Sequence, residues 1–156
     1  MKQMKKVLFV CLGNICRSPL AEAIFRNKAQ SLGYEVDSAG TAAYHVGKDP
    51  DYRSVAVALK YDVPISHKAR QFEAEDFEQF DYVIAMDRSN YHNMAALVSQ
   101  KPSNLFLMRE FDSEADGDMD VPDPYYGGDD GFEQIFVMMS RAIDQLISHI
   151  QIEEQA

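Results

Sequence analysis

The order of apolar segments predicts an α/β protein, a parallel sheet with helices on both faces. Three observations carry this. Apolar runs of strand length, Val7-Leu8-Phe9-Val10, Tyr82-Val83-Ile84-Ala85-Met86 and Leu105-Phe106-Leu107, alternate with longer stretches of helical spacing. The first run is apolar at every position, as in a central strand covered on both sides. The last stretch sets Phe132, Ile135, Phe136, Met139, Ile143, Leu146, Ile147 and Ile150 at helical spacing.

The elements follow in order. The strand over 6–10 is followed by a loop and a helix over 19–31, with Leu20, Ala23, Ile24 and Leu32 inward and Gly33 as its stop. Ser18 is a suitable N-cap and Pro19 a suitable first helical residue. A short second strand covers 35–39. Asp49-Pro50 opens a helix to about residue 61, with Val55, Ala58 and Leu59 inward. A short helix over 74–80, the strand over 82–86, a helix over 89–99 and the strand over 105–107 come next. An irregular stretch over 109–131 precedes the last helix. Its length marks it as functional or mobile. Ligands of open parallel sheets sit at the carboxyl ends of the strands. Both this stretch and the first loop follow strands and can face one crevice.

With 156 residues, 46% of them hydrophobic, the chain is expected to form one domain, 1–156, with a sizeable core. A net charge of −10 argues against nucleic acid or an anionic membrane as partner. Met1-Lys2-Gln3-Met4-Lys5-Lys6 before an apolar run imitates a secretory signal. The run is too short and lacks a small-residue cleavage site, so a cytoplasmic location is expected. Two cysteines, Cys11 and Cys16, make neither a disulfide framework nor a zinc site.

Those two cysteines lie in the segment with the strongest chemical signal, Cys11-Leu12-Gly13-Asn14-Ile15-Cys16-Arg17-Ser18. Five residues between Cys11 and Arg17 let the backbone curl around an oxyanion, with amides inward and a helix N-terminus behind. Arg17 can grip two phosphate oxygens bidentately. The same positive groups hold Cys11 as a nucleophilic thiolate. This pattern reads as cysteine-based hydrolysis of a phosphate ester. A general acid must then protonate the leaving oxygen. Asp123 is the candidate, stiffened between Pro122 and Pro124, with Tyr125 and Tyr126 as a wall for an aromatic substrate. By residue type alone, Cys11 also fits a small buried hydrophobe, and Asp123 a solvated loop acid.

Five segments, in order, resemble the low-molecular-weight protein tyrosine phosphatases. They are the 7–19 segment, Asp37-Ser38-Ala39, Asp51-Tyr52-Arg53, Ser66-His67-Lys68-Ala69-Arg70-Gln71 and Asp123-Pro124-Tyr125-Tyr126. The resemblance implies a three-layer sandwich around a four-stranded parallel twisted sheet of order 2-1-3-4, with no metal and no cofactor. It implies Cys11 as nucleophile, Arg17 as phosphate clamp and Asp123 as general acid. The residues over 12–18 would line the phosphate site, Ser18 bonding the thiolate. Asn14 would hold an unusual backbone turn, braced by Ser38 and His67. Tyr44 and Tyr125 would flank the substrate ring, and Cys16 would capture an oxidised Cys11 as a disulfide. The implied partner is a phosphotyrosine protein, with a tyrosine kinase acting before it.

Three other readings share some of these features. Arsenate reductases on this fold need further cysteines, and none follows Cys16. Protein arginine phosphatases of the same family carry a threonine where this chain has Ile15, an apolar residue better suited to an aromatic ring. A non-catalytic phosphotyrosine-binding module would be expected to lack the nucleophile or the acid. Separately, the acids at alternate positions of 112–120, with Gly117 sixth, resemble the start of a calcium loop. The twelfth position is Asp123 rather than Glu, so a solvated acidic loop is the better expectation.

Overall fold

The computed structural model describes residues 5–125 and 129–155. Four parallel strands form one sheet in the order β2-β1-β3-β4, the order that the family resemblance implies. They are β1 (Lys6–Cys11), β2 (Glu35–Gly40), β3 (Tyr82–Ala85) and β4 (Leu105–Leu107). The helices are α1 (Arg17–Lys28), α2 (Tyr52–Lys60), α3 (Asp76–Gln79), α4 (Arg88–Ala95) and α5 (Asp129–Gln155). Short 3-10 turns cover Gln30–Leu32 and Met108–Phe111.

The unbroken apolar run of β1 has a direct physical cause. Successive strand residues point to opposite faces, and both faces are covered. Val7, Phe9 and Cys11 join Leu20 and Ile24 of α1 and Ile135, Met139 and Ile143 of α5 in one core. Leu8 and Val10 join Phe77 of α3, Met94 of α4 and Phe72 in the other. These are the two outer layers. The inward residues anticipated for the last helix are buried. Phe132, at its start, instead packs under the 11–18 loop with Ile15, Cys16 and Ala69.

Several local expectations shift. Helix α1 begins two residues early: Cys16 is its N-cap, with no side-chain cap bond, and Arg17 its first residue. Ser18 thus lies inside the first turn, its hydroxyl turned to the loop rather than to a cap. Pro19 is still tolerated, because the first-turn amides have no intrahelical acceptor to lose. Helix α2 starts at Tyr52, capped by the Asp51 carboxylate on the Arg53 amide. Its buried residues are Ser54 and Ala58, while Leu59 is 63% exposed and Leu32 is likewise exposed. Helix α4 ends at Ala95 rather than near residue 99.

The acidic stretch does not converge on a point. Asp112, its side chain fully buried, pairs with Arg109 (3.2 Å) and with Arg141 of α5 (2.6 Å). Asp118 pairs with Arg109, and Asp120 with Arg88 of α4. Arginines from three elements therefore answer these acids, which overturns both the calcium reading and the solvated one for Asp112. Among the described residues, the one group of His, Cys, Asp or Glu atoms close enough to share an ion is Glu22, Asp37 and His67. There the His67 ring already bridges the two carboxylates, at 3.1 and 3.6 Å. No helix of the described residues is long and apolar enough to cross a membrane.

Candidate active site

The carboxyl ends of all four strands contribute to one cleft, as parallel topology leads one to expect. The 11–18 loop leaves β1. The segment carrying Tyr44 and His45 leaves β2. Asp87 follows β3, and the segment carrying Asp123 follows β4. Cys11, Leu12, Gly13, Ile15, Cys16, Arg17, Tyr44, His45, Asp123 and Tyr125 line a cleft of about 260 Å³. Every catalytic residue anticipated from sequence is among them. Tyr126 lies outside the described residues.

The loop is held from within. Asn14 adopts a positive φ of 58°, a conformation that asparagine tolerates better than most residues. Its amide fixes the turn through four bonds. Nδ2 donates to Ser18 Oγ (2.8 Å) and to Ser38 Oγ (3.0 Å). Oδ1 accepts from the Arg70 amide (3.0 Å) and pairs with His67 Nε2 (2.7 Å). Because the Arg70 N–H can only donate, it sets which Asn14 atom is the oxygen, and His67 Nε2 must then carry a proton. His67 Nδ1 faces Glu22 and Asp37. Both ring nitrogens thus face acceptors.

Glu22, in the middle of α1 and 3% exposed, anchors this network. It accepts from Ser38 Oγ at 2.7 Å and from Arg26 at 2.7 Å. Burial pushes its carboxyl up, but hydrogen bonds from His67, Ser38 and Arg26 outweigh burial and hold it below the ordinary carboxylate range. Ser38 and His67, the residues expected to brace Asn14, both hydrogen-bond its side chain. Glu22 was missed, because a glutamate in an amphipathic helix reads as a solvated face.

Cys11 Sγ lies 3.0 Å from Ser18 Oγ and accepts from the Asn14 amide at 3.3 Å. Ser18 Oγ already accepts from Asn14, which leaves its one proton for the sulfur or for the Ala39 carbonyl at 3.3 Å. Burial pushes the Cys16 thiol far up, with the Asp51 and Cys11 charges adding to it. Arg17 is 2% exposed. Its Nη1 donates to Asp87 Oδ2 (2.7 Å) and to the Val121 carbonyl (2.9 Å). Burial opposes its charge, and Cys11, Asp87 and Asp123 sustain it. With Nη1 so engaged, the Nε–Nη2 edge is the fork left for a ligand. Asp123 Oδ2 lies 3.7 Å from Nη2, and Oδ1 accepts the Tyr125 amide at 3.0 Å.

Asp87, His45 and Gly40 carry no signal in a single sequence. Asp87 caps α4 on the Asn90 amide (2.7 Å) while holding Arg17. A Cβ on Gly40 would lie 2.8 Å from the Leu12 carbonyl and 3.0 Å from the Asn14 nitrogen, so the loop can sit against β2 only over a glycine. His45 crowds Gly13 in the same way, through its ring.

A buried thiol, a pinned guanidinium and a loop carboxyl at the carboxyl edge of a parallel sheet define a cysteine-dependent phosphoric monoester hydrolase. The family model of the low molecular weight phosphotyrosine protein phosphatases matches residues 6–156. The chain belongs to that family. It is 44% identical over 140 residues to the low molecular weight phosphotyrosine protein phosphatase of Schizosaccharomyces pombe, covering 86% of this chain and 89% of that protein. Among solved structures it is similar to YfkJ from Bacillus subtilis, with TM-score 0.89 and 37% identity over 97% of this chain and 98% of that one. It is also similar to a Drosophila arginine phosphatase, with TM-score 0.84 and 33% identity over 93% of this chain and 97% of the other.

Proposed function

We propose that the chain, acting as a single domain over 1–156, hydrolyses phosphotyrosine in proteins through a phosphocysteine on Cys11. The observation that carries this is the placement of Cys11, Arg17 and Asp123 around one cleft between Tyr44 and Tyr125. The Cys11 thiolate attacks phosphorus, forming an S–P bond as the P–O bond to tyrosine breaks. The Nε–Nη2 edge of Arg17 and the loop amides bind the equatorial oxygens, where charge gathers in the transition state. Among the described residues the amides of Leu12, Gly13, Ile15 and Cys16 donate to no backbone carbonyl, which leaves them available as donors. Asp123 gives its proton to the departing phenolate. It then takes a proton from water as that water attacks phosphorus and releases Cys11 and inorganic phosphate. No cofactor enters this scheme.

Ile15 favours tyrosine over arginine as the phosphorylated residue. Ile15 is among the residues that line the cleft with Tyr44 and Tyr125, and an apolar slot suits a phenyl ring better than a guanidinium. The substrate is then a phosphotyrosine protein supplied by a tyrosine kinase. Both cysteines are free thiols, which supports a reducing compartment, the cytoplasm. A redox role for Cys16 follows from a neighbouring thiol in the same loop. Peroxide converts the Cys11 thiolate to a sulfenic acid, which condenses with the Cys16 thiol to a disulfide and water.

The test is rapid acid quench with phosphotyrosine and phosphoarginine peptides, in EDTA. The wild type is expected to accumulate phosphocysteine from the phosphotyrosine peptide, and Cys11→Ser to form none while still binding phosphate. Substantial turnover by Cys11→Ser, or a preference for phosphoarginine, would overturn the reading.

A further inference from the structure

Two arginines hold the segment that carries Asp123, one on each side. Arg17 donates to the Val121 carbonyl at 2.9 Å, and Arg53 Nη2 donates to the Tyr125 carbonyl at 3.0 Å. Each carbonyl lies two residues from Asp123. Arg17 belongs to the phosphate site. Arg53 lies on α2, across the cleft wall.

The placement of Arg53 is itself fixed. Its Nε and Nη2 grip the two oxygens of Asp51, each at 3.1 Å. Its guanidinium carbon stands 4.6 Å from the centre of the Phe132 ring at the start of α5 and 5.6 Å from that of Tyr125. Asp51 is tied to the 11–18 loop, its amide donating to the Ile15 carbonyl at 2.7 Å. One residue beyond Arg53, Ser54 Oγ donates to the Cys16 carbonyl at 3.1 Å. A continuous path of fixed bonds therefore runs from the backbone of the 11–18 loop through Asp51 and Arg53 to the Tyr125 carbonyl. Tyr125 continues it, because its amide orients Asp123 Oδ1 at 3.0 Å.

We infer that Arg53 is a positioning residue for proton transfer: it sets the distance of the Asp123 carboxyl from the phosphate site by holding Tyr125. The inference rests on Asp123 being the general acid. Asp123 lies in an irregular segment with its side chain 37% exposed, so its placement depends on such tethers. A general acid loses efficiency steeply when misplaced by an ångström. Only the planar fork of arginine can hold a carboxylate with two nitrogens and a carbonyl with a further proton.

A double-mutant cycle tests this. Wild type, Asp123→Asn, Arg53→Met and the double variant are compared by kcat/KM on p-nitrophenyl phosphate and on phenyl phosphate, whose leaving group needs the proton. Inorganic phosphate serves as a competitive probe of the anion site. Arg53→Met is expected to lose about tenfold or more on phenyl phosphate, and less than about threefold on p-nitrophenyl phosphate. Phosphate affinity should stay within about twofold, and the loss should vanish when Asp123→Asn is already present. Arg53→Lys, which keeps charge and stem, should behave as Arg53→Met and serves if the latter fails to fold. Equal losses on the two esters, or an undiminished loss in the Asp123→Asn background, would overturn the role of Arg53 alone. Equal losses on the two esters for Asp123→Asn itself would overturn the acid assignment, and this inference with it.

Discussion

At the scale of single residues, the site separates two cysteines of one loop by their surroundings. Cys11 meets a hydroxyl and an amide that can donate to sulfur. Cys16 meets burial and the Asp51 carboxylate, and its thiol is pushed far up. Peroxide reacts with the thiolate and not the thiol, so in the proposed redox role Cys16 stays reduced until Cys11 has been oxidised. Mild peroxide should therefore inactivate the wild type in a form that a thiol reductant reverses, whereas Cys16→Ser should be lost irreversibly to sulfinic acid. Peptide mapping that finds no Cys11–Cys16 bridge would remove the protective role. Cys11 and Arg17 stood out in the chain because a thiol and a guanidinium with five residues between them suit an oxyanion loop, whereas Asp123 could equally be a solvated loop acid until the family resemblance singled it out. Asp87, Glu22 and Arg53 did not stand out. Each acts by holding another residue, and only distance reveals that.

At the scale of elements, strand β2 is as much a part of the site as the loop it faces. Gly40 closes the strand where the 11–18 backbone passes within van der Waals limits. The atoms a Cβ would meet are backbone atoms, which cannot rotate away. Gly40→Ala should lower stability by about 1–3 kcal/mol through overpacking and weaken phosphate binding by spreading the loop. Thermal unfolding and phosphate inhibition measure the two, and an unchanged inhibition constant would show that the loop tolerates the shift. The sequence pattern identified β1, β3 and β4 as apolar runs of strand length between turn signals, and placed β2, Glu35-Val36-Asp37-Ser38-Ala39-Gly40, without such a run. Helix boundaries were less legible. Ser18 has the chemistry of a cap, yet its hydroxyl bonds within the loop, and Cys16 takes the cap position without a side-chain bond. Leu59 reads as core by type, but α2 turns it outward and packs Ser54 and Ala58 instead. Tertiary contacts overrode local preference in both places.

At the scale of the whole molecule, acid should unfold the protein through two buried carboxylates. Hydrogen bonds from Arg141, opposed by burial and aided by the Glu114 amide and Arg109, hold Asp112 below its ordinary 3.8. Glu22 is held below its ordinary 4.5 by His67, Ser38 and Arg26, against burial. A carboxyl whose value is depressed in the folded state binds fewer protons there than when unfolded. Its stabilisation is complete above the unfolded value and fades as pH falls through the folded one. The thermal midpoint should drop steeply below about pH 4. Asp112→Ala should cost about 3 kcal/mol at pH 7 by breaking the buried pair and leaving Arg109 and Arg141 only the exposed carboxylates of Asp118 and Glu114, and its deficit against the wild type should shrink in the acid range. A deficit constant from pH 7 to 3 would sever the link. The acidic stretch was read from sequence as solvent-facing because two of its arginine partners are distant in the chain, Arg141 by 29 residues from Asp112 and Arg88 by 32 from Asp120. The same architecture ties the rim of the cleft to its floor. The Thr41 and Ala42 amides donate to the Cys11 and Leu12 carbonyls, each at 2.9 Å, so the excursion that carries Tyr44, 73% exposed, hangs from the Cys11 loop by two bonds at its root. A change at the tip of that excursion reshapes the mouth without touching the bonds that hold the floor.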